Sequence, residues 1–275
     1  MNPVVIDFGP VVLHAYTAWL IGSVLAGLGV IIWRAAREES RPVTRWLDVG
    51  IAGVAGGVIG ARALYVALEW DYFADHTHEI DQLALGGMSW HGALLFGVPA
   101  VLIMARLRHV ALRPWTDALA LAWPLGLIGV WLGCRHAGCG YGCEVSTLAD
   151  WPGWQVAELP DVYGLFAPRL DIQAFGAYFG GALLILALIL TWRGWLPGFR
   201  LWLILGLTGL GQALLGFLRA DPAQIMAHRR ADQVFDVILL LASTLAGCMI
   251  WLLDRQAETR AARIRSLEET QRHEH

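Results

Sequence analysis

Apolar residues in this chain come in long runs, not in the strict alternation of a half-buried strand. Seven runs approach the roughly 20 residues a helix needs to cross the hydrocarbon of a bilayer. They cover 11–33, 47–68, 85–105, 116–133, 172–192, 201–218 and 234–253. The pattern predicts an all-α integral membrane protein: seven transmembrane helices in one domain over 1–254, and a charged tail over 255–275. The first run follows Asp7 instead of a basic leader and is too long for a signal core, so it reads as a retained helix. The longest connection, 134–171, contains Trp151, Pro152, Gly153 and Trp154, which suit a stretch lying on the membrane surface.

Composition agrees with this reading. Hydrophobic residues make up 57% of the chain and charged residues 16%, well below the charge of a soluble domain. The placement of arginine orients the bundle. Arg34, Arg37, Arg41 and Arg45 follow the first run, Arg106, Arg108 and Arg113 the third, and Arg193 and Arg200 the fifth. Arg255, Arg260, Arg263, Arg265 and Arg272 follow the seventh. The connection after the second run holds Asp71, Asp75, Glu79 and Asp81 and no arginine. By the positive-inside rule the N-terminus is outside and the tail is cytoplasmic, as in a multi-pass protein of the bacterial inner membrane. Arg219, Arg229 and Arg230 break the pattern by lying on the outer side.

Orientation converts sequence position into depth. His14, Tyr16, Arg62, Tyr65, His91, Arg219, Gln233 and Asp236 all fall toward the outer end of their runs, and the inner half carries almost nothing ionisable. An ionisable side chain at membrane depth costs roughly 3 kcal/mol on insertion scales, so several at one depth predict a polar cavity. Simpler readings stand beside this one. Arg62 can pair with Asp236, His91 can bond a backbone carbonyl, the tyrosines can anchor at the interface, and Arg219 can snorkel to headgroups. A cavity of guanidinium, imidazole and phenol groups suits an anionic headgroup, because guanidinium matches phosphate in a bidentate fork.

Three of the four cysteines, Cys134, Cys139 and Cys143, cluster where the fourth run ends. A disulfide between two of them, a metal site shared with His136, and a reactive thiol are all open. Residues four apart share a helical face, so a continued helix would align Cys139 with Cys143. Gly138 and Gly140 would have to bend the chain to gather all three. Cys248 reads as a small packing residue in the seventh run. Gly53, Gly57 and Gly60, like Gly176 and Gly180, lie at spacings that let helices approach closely.

Four segments resemble the prolipoprotein diacylglyceryl transferase family. They are Phe8-Gly9-Pro10-Val11-Val12-Leu13-His14-Ala15-Tyr16, Gly60-Ala61-Arg62-Ala63-Leu64-Tyr65, Gly86-Gly87-Met88-Ser89-Trp90-His91-Gly92-Ala93-Leu94 and Phe217-Leu218-Arg219-Ala220-Asp221-Pro222. The third is the most specific. Gln173 and Gln233 also fall where the family tends to carry glutamine. The resemblance implies seven helices, an outside N-terminus and an active cavity in the outer leaflet. It implies transfer of diacylglyceryl from phosphatidylglycerol to the thiol of a lipoprotein precursor, with release of glycerol phosphate. His91, Arg62 and Tyr16 then take catalytic roles, and Arg219, His14, Tyr65, Gln212, Gln233 and Gly142 take binding roles. No cofactor, resident metal or nucleic-acid partner enters this reading. Where the family's fourth helix ends in a signature of arginine, glycine, asparagine, glutamate and glycine, this chain holds Trp131, Gly133, Cys134, Cys139 and Gly142. The family's sixth-helix arginine and glutamate fall on Gln212 and Gly216, and its fifth-helix tyrosine and glutamate on Phe175 and Gly176. In these places the chain looks closer to a cysteine-rich branch. Two other functions are compatible with the departures: a thiol-redox or metal-binding protein using the cysteine cluster, and a non-catalytic lipid-binding protein.

Overall fold

In lipid the backbone finds no water, so an apolar run must satisfy its own N–H and C=O groups, and a helix does so within one segment. The computed structural model describes residues 4–7, 12–37, 42–83, 87–226 and 228–273. The motif residues 8–11 and 85–86, like Arg41, lie outside the described residues. The helices are α1 (Ala15–Ala36), α2 (Val43–Leu68), the short α3 (Trp70–Phe73), α4 (Trp90–Leu107), α5 (Leu112–Ala137), α6 (Ile172–Trp192), α7 (Arg200–Gly216) and α8 (Ala231–His273). Six of them, α1, α2, α4, α5, α6 and the Ala231–Ala257 part of α8, are long and apolar enough to cross a membrane. The sixth apolar run is a shorter helix, α7, with 17 residues. At 1.5 Å per residue it reaches about 26 Å, against a hydrocarbon core of about 30 Å. α8 continues without a break from the last apolar run through the charged tail to His273.

The chain is mostly helical but not all-α. Among the described residues three antiparallel hairpins decorate it: β1 (Val4–Asp7) with β2 (Val12–His14), β3 (Val156–Pro160) with β4 (Phe166–Leu170), and β5 (Ile225–Met226) with β6 (Arg229–Arg230). All three lie at or beside connections, where a water-facing backbone can pair as strand.

Small residues set how the helices meet. α2 packs on α4, α1 on α5, α5 on α6, and α7 on α8. Gly60 and Gly92 touch backbone to backbone: a Cβ on Gly60 would sit 2.3 Å from the Gly92 carbonyl oxygen, and one on Gly92 2.2 Å from that of Gly60. In the same way Gly209 of α7 leaves room for the Asp236 carbonyl of α8. These pairings collect the starts of α1, α4, α6 and α8 and the ends of α2, α5 and α7 at one end of the bundle, the His91 end. The other end is built on Ile31, Trp46, Val49, Ala105, Trp115 and Ala118. There the Trp115 indole donates to the Trp46 carbonyl at 3.2 Å.

The sequence pattern predicted almost nothing ionisable toward this end, but the Trp115 end holds a buried charge pair. Asp117 and Arg200 are both buried. The Asp117 carboxylate accepts from the Gly198 N–H at 2.9 and 3.0 Å and from Arg200 Nη1 at 3.3 Å. It caps the start of α7 from a different helix. Both residues stand at the margin of an apolar run, where a charge is easily read as interfacial. Cys248 also differs from expectation: it is exposed on α8 and does not fill the interior.

Candidate active site

The His91 end is assembled from short exits and entries of helices. Ser89, just before α4, donates its N–H to the Ala61 carbonyl of α2 at 3.0 Å. That bond seats the first turn of α4 against Arg62's helix and places His91 at the bundle interior. The His91 ring is buried between Trp90 and Phe235, with centroids 4.0 and 5.1 Å away. Its Nε2 lies 3.0 Å from Asp236 Oδ1 of α8. The side chains are 8% and 5% exposed. An ionised carboxylate only accepts, so against that form of Asp236 the contact is a bond donated by Nε2. Nδ1 makes no hydrogen bond among the described residues, and it is not among the atoms sealed from their surroundings without a partner. Asp236, weighed above as a partner for Arg62, thus holds His91.

Arg62 lies against the connection between α2 and α4. Its Nε donates to the Ile80 carbonyl at 2.9 Å, Nη1 to Gly87 at 3.0 Å and Nη2 to Glu79 at 2.5 Å. Phe73 and Tyr65 flank the guanidinium at 5.1 and 5.9 Å. Gly87 has φ of 71°, and a Cβ there would meet Tyr65 at 2.3 Å and Arg62 at 2.9 Å. Only glycine fits that approach.

Arg219 sits in a ring of four charges. It meets Asp221 at 2.6 Å and Asp232 at 2.9 Å, while Arg230 meets the same two carboxylates at 3.2 and 3.1 Å. Burial works against the Arg219 charge, but the carboxylates of Asp221, Asp232 and Asp236 outweigh it and hold its pKa above the ordinary arginine value. The ring gives a reason for the exception to arginine asymmetry. Two of the three misplaced arginines arrive with their own counter-charges, and the third, Arg229, lies over Phe217 at 5.8 Å.

The backbone beside Arg219 is also fixed. The Cys143 N–H donates to the Leu218 carbonyl at 3.0 Å and Ala220 N–H to Tyr141 at 2.9 Å, on either side of a Gly142–Arg219 bridge. On its other edge this segment meets β4, with Leu170 N–H donating to Cys143 at 3.0 Å. Gly142 is therefore squeezed: a Cβ would stand 2.4 Å from the Leu170 carbonyl oxygen.

What turns the chain into this segment is a disulfide. Cys134 and Cys139 are bonded, with Cα atoms 4.7 Å apart. α5 ends at Ala137 and Gly138 takes a left-handed φ of 71°. The helix does not continue, so the expected alignment of Cys139 with Cys143 is replaced by closure onto Cys134. Cys143 is a free, exposed cysteine. A metal held by all three thiolates is incompatible with the bond.

The remaining residues distribute around these groups. Tyr16 packs on Gly133 of α5, where a Cβ would lie 2.9 Å from its ring. His14 is half-buried at the N-cap of α1. Gln233 is buried on Gly216 and donates to the Ala213 carbonyl at 3.2 Å. Gln212 is half-buried on α7. Trp131, at a place where the family signature puts arginine, is buried against Gly176 and Gly140, with Arg219 6.0 Å from its ring. Its Nε1 and the Gln173 Oε1 have no partner among the described residues.

Sequence reasoning passed over one acid, Asp171, and the partner of another, Asp236. Asp171 accepts from Ala174 N–H at 3.0 Å as the N-cap of α6 and pairs with Arg135 at 3.0 Å. Its position just before an apolar run is the available signal. Asp236 was noticed, but its partner was not, because nothing in a linear pattern says that the first turns of α4 and α8 meet.

The sequence pattern of the family described as prolipoprotein diacylglyceryl transferase matches residues 3–251. The chain is 27% identical over 276 residues to a phosphatidylglycerol–prolipoprotein diacylglyceryl transferase of Symbiobacterium thermophilum, covering 94% of this chain and 96% of that one. It is 24% identical over 254 residues to that of Bacillus licheniformis, covering 88% and 90%. Over a shorter stretch of 137 residues it is 32% identical to that of Geobacillus kaustophilus, covering 48% of each.

Proposed function

Because the chain belongs to the prolipoprotein diacylglyceryl transferase family, we propose that it moves a diacylglyceryl group from phosphatidylglycerol, or a similar anionic phospholipid, to the thiol of a lipoprotein precursor. The observation that carries this reading is His91, a buried imidazole held by a carboxylate on one nitrogen and, among the described residues, without a hydrogen bond on the other. It stands at the same end of the bundle as Arg62, Arg219 and Tyr16. Thiol alkylation by a lipid needs a proton acceptor for the thiol, positive charge beside the phosphate, and entry from the bilayer. His91 is the acceptor. Arg62 supplies charge toward the phosphate from a rigid cradle of carbonyls, and Tyr16 donates a hydrogen bond. Arg219, His14, Tyr65, Gln212, Gln233 and Gly142 shape the approach of the headgroup.

In this reading α7 is the sixth of seven spans, the N-terminus and the His91 end face the outer leaflet of the inner membrane, and residues 1–254 form the membrane domain. The part of α8 beyond Asp254 then extends into the cytoplasm. The arginines between α1 and α2 and after α8 support that orientation. The test is complementation of a strain depleted of its own transferase, with lipoprotein processing as the readout. The chain restores processing and His91→Gln does not. An expressed, membrane-inserted chain that restores nothing overturns the transferase reading in favour of a lipid-binding role. Reporter fusions in the segment between α1 and α2 report the cytoplasm; an outside signal there overturns the orientation.

A further inference from the structure

We propose that Asp236 is a positioning residue that fixes the tautomer of His91 and thereby makes Nδ1 the proton acceptor; this rests on the transferase reading only for the identity of the proton donor. The 3.0 Å contact between Nε2 and Oδ1 joins α4 to α8 across 145 residues of sequence. A neutral imidazole has one N–H and one lone pair, and a carboxylate has acceptors only. Their bond therefore leaves the lone pair on Nδ1. Trp90 and Phe235 hold the plane of the ring, so the lone pair has a set direction. A histidine kept only for packing would satisfy or seal both nitrogens; here Nδ1 is neither bonded nor closed off among the described residues.

Asp236 is itself well placed. Its backbone carbonyl rests on Gly209 of α7, where a Cβ would approach to 2.5 Å. The charges that act on it from outside the pair are Asp232 and Arg219, which have opposite signs and are bonded to each other at 2.9 Å. The His91–Asp236 pair is thus the local electrostatic unit.

The chemistry follows from this arrangement. The thiol S–H bond breaks and its proton passes to Nδ1. The resulting imidazolium is held through Nε2–H by the Asp236 carboxylate, so the pair is neutral in a low-dielectric site. The thiolate attacks the glyceryl carbon, a C–S bond forms and the C–O bond to phosphate breaks. The electron pair leaves on the phosphate oxygen, and the proton on Nδ1 leaves with the phosphate monoester or to water.

The experiment uses the full chain in lipid nanodiscs, with ¹⁵N-labelled histidine, phosphatidylglycerol and a cysteine peptide. His91→Gln identifies the His91 signals by their loss. In the unaltered chain Nε2 is protonated and Nδ1 is not. Asp236→Asn, whose amide can donate to Nε2, moves the proton to Nδ1 and lowers kcat about 100- to 10,000-fold, with KM for the lipid changed less than about threefold. Asp236→Glu keeps a carboxylate and restores the Nε2–H form with part of the rate, which keeps the test decisive if the asparagine variant does not fold. An Nδ1–H tautomer in the unaltered chain overturns the proposal. So does an asparagine variant with unchanged tautomer and kcat within threefold. A chain that transfers nothing but shows the tautomer switch upholds the positioning role and overturns the transferase reading instead.

Discussion

Two buried aspartates stand at opposite ends of the same bundle and do different things. Asp117, at the Trp115 end, spends both oxygens on the Gly198 N–H and adds a bond to Arg200. Its partners are complete and its charge is answered by a guanidinium. Asp236, at the other end, holds only one nitrogen of His91 and leaves the second open. A buried charge whose whole neighbourhood is satisfied holds structure. One that completes half of a titratable partner prepares that partner to react. Burial alone does not separate the two, since both acids are buried to a similar degree.

The comparison breaks first at His91. His91→Gln should lower the transfer rate about 10²- to 10⁴-fold, the span of a general base, while leaving the unfolding midpoint close to that of the parent. Steady-state rates and denaturant or thermal unfolding in detergent measure both. Asp117→Ala should do the reverse. It strands Arg200 and the start of α7, so stability falls by about 3–5 kcal/mol, and the protein that remains folded works at the normal rate. A lowered kcat with unchanged stability at Asp117 would erase the distinction. The backbone contact that seats His91 sharpens it: Gly60→Ala should cost about 1–3 kcal/mol by overpacking and also weaken transfer, because α4 must shift. Removing the disulfide as Cys134→Ser with Cys139→Ser should cost about 2 kcal/mol for so short a loop, read as a lower midpoint under oxidising conditions only. Arg113→Ala, which breaks an exposed pair with Asp254 near the Trp115 end, should cost less than about 1 kcal/mol and leave transfer untouched.

The helices were legible because hydrocarbon imposes a minimum length on apolar runs, and the six longest follow that length. The strands were not. β3 and β4 are five residues each, with Pro160 and Pro168 within them, and pair through a connection that composition marks only as surface. The sequence pattern put His91, Arg62 and Arg219 toward the same end of their runs and marked Gly60 for close contact. Their partners were not legible, since Asp236, Gly87 and Asp232 each reach across from another element. The cysteine cluster shows the same limit in miniature. Helical spacing favoured Cys139 with Cys143, but Gly138 ended the helix and Cys134 took the bond.

The cap that Asp117 places on α7 has a consequence for how the protein is made. α7 is the shortest of the long helices, and its first backbone N–H groups have no helical acceptor of their own. Just before that first turn, the Asp117 carboxylate of α5 takes the N–H of Gly198 and ties the approach to α7 onto α5. In the order of synthesis, α5 thus carries the anchor for α7 before α7 is made.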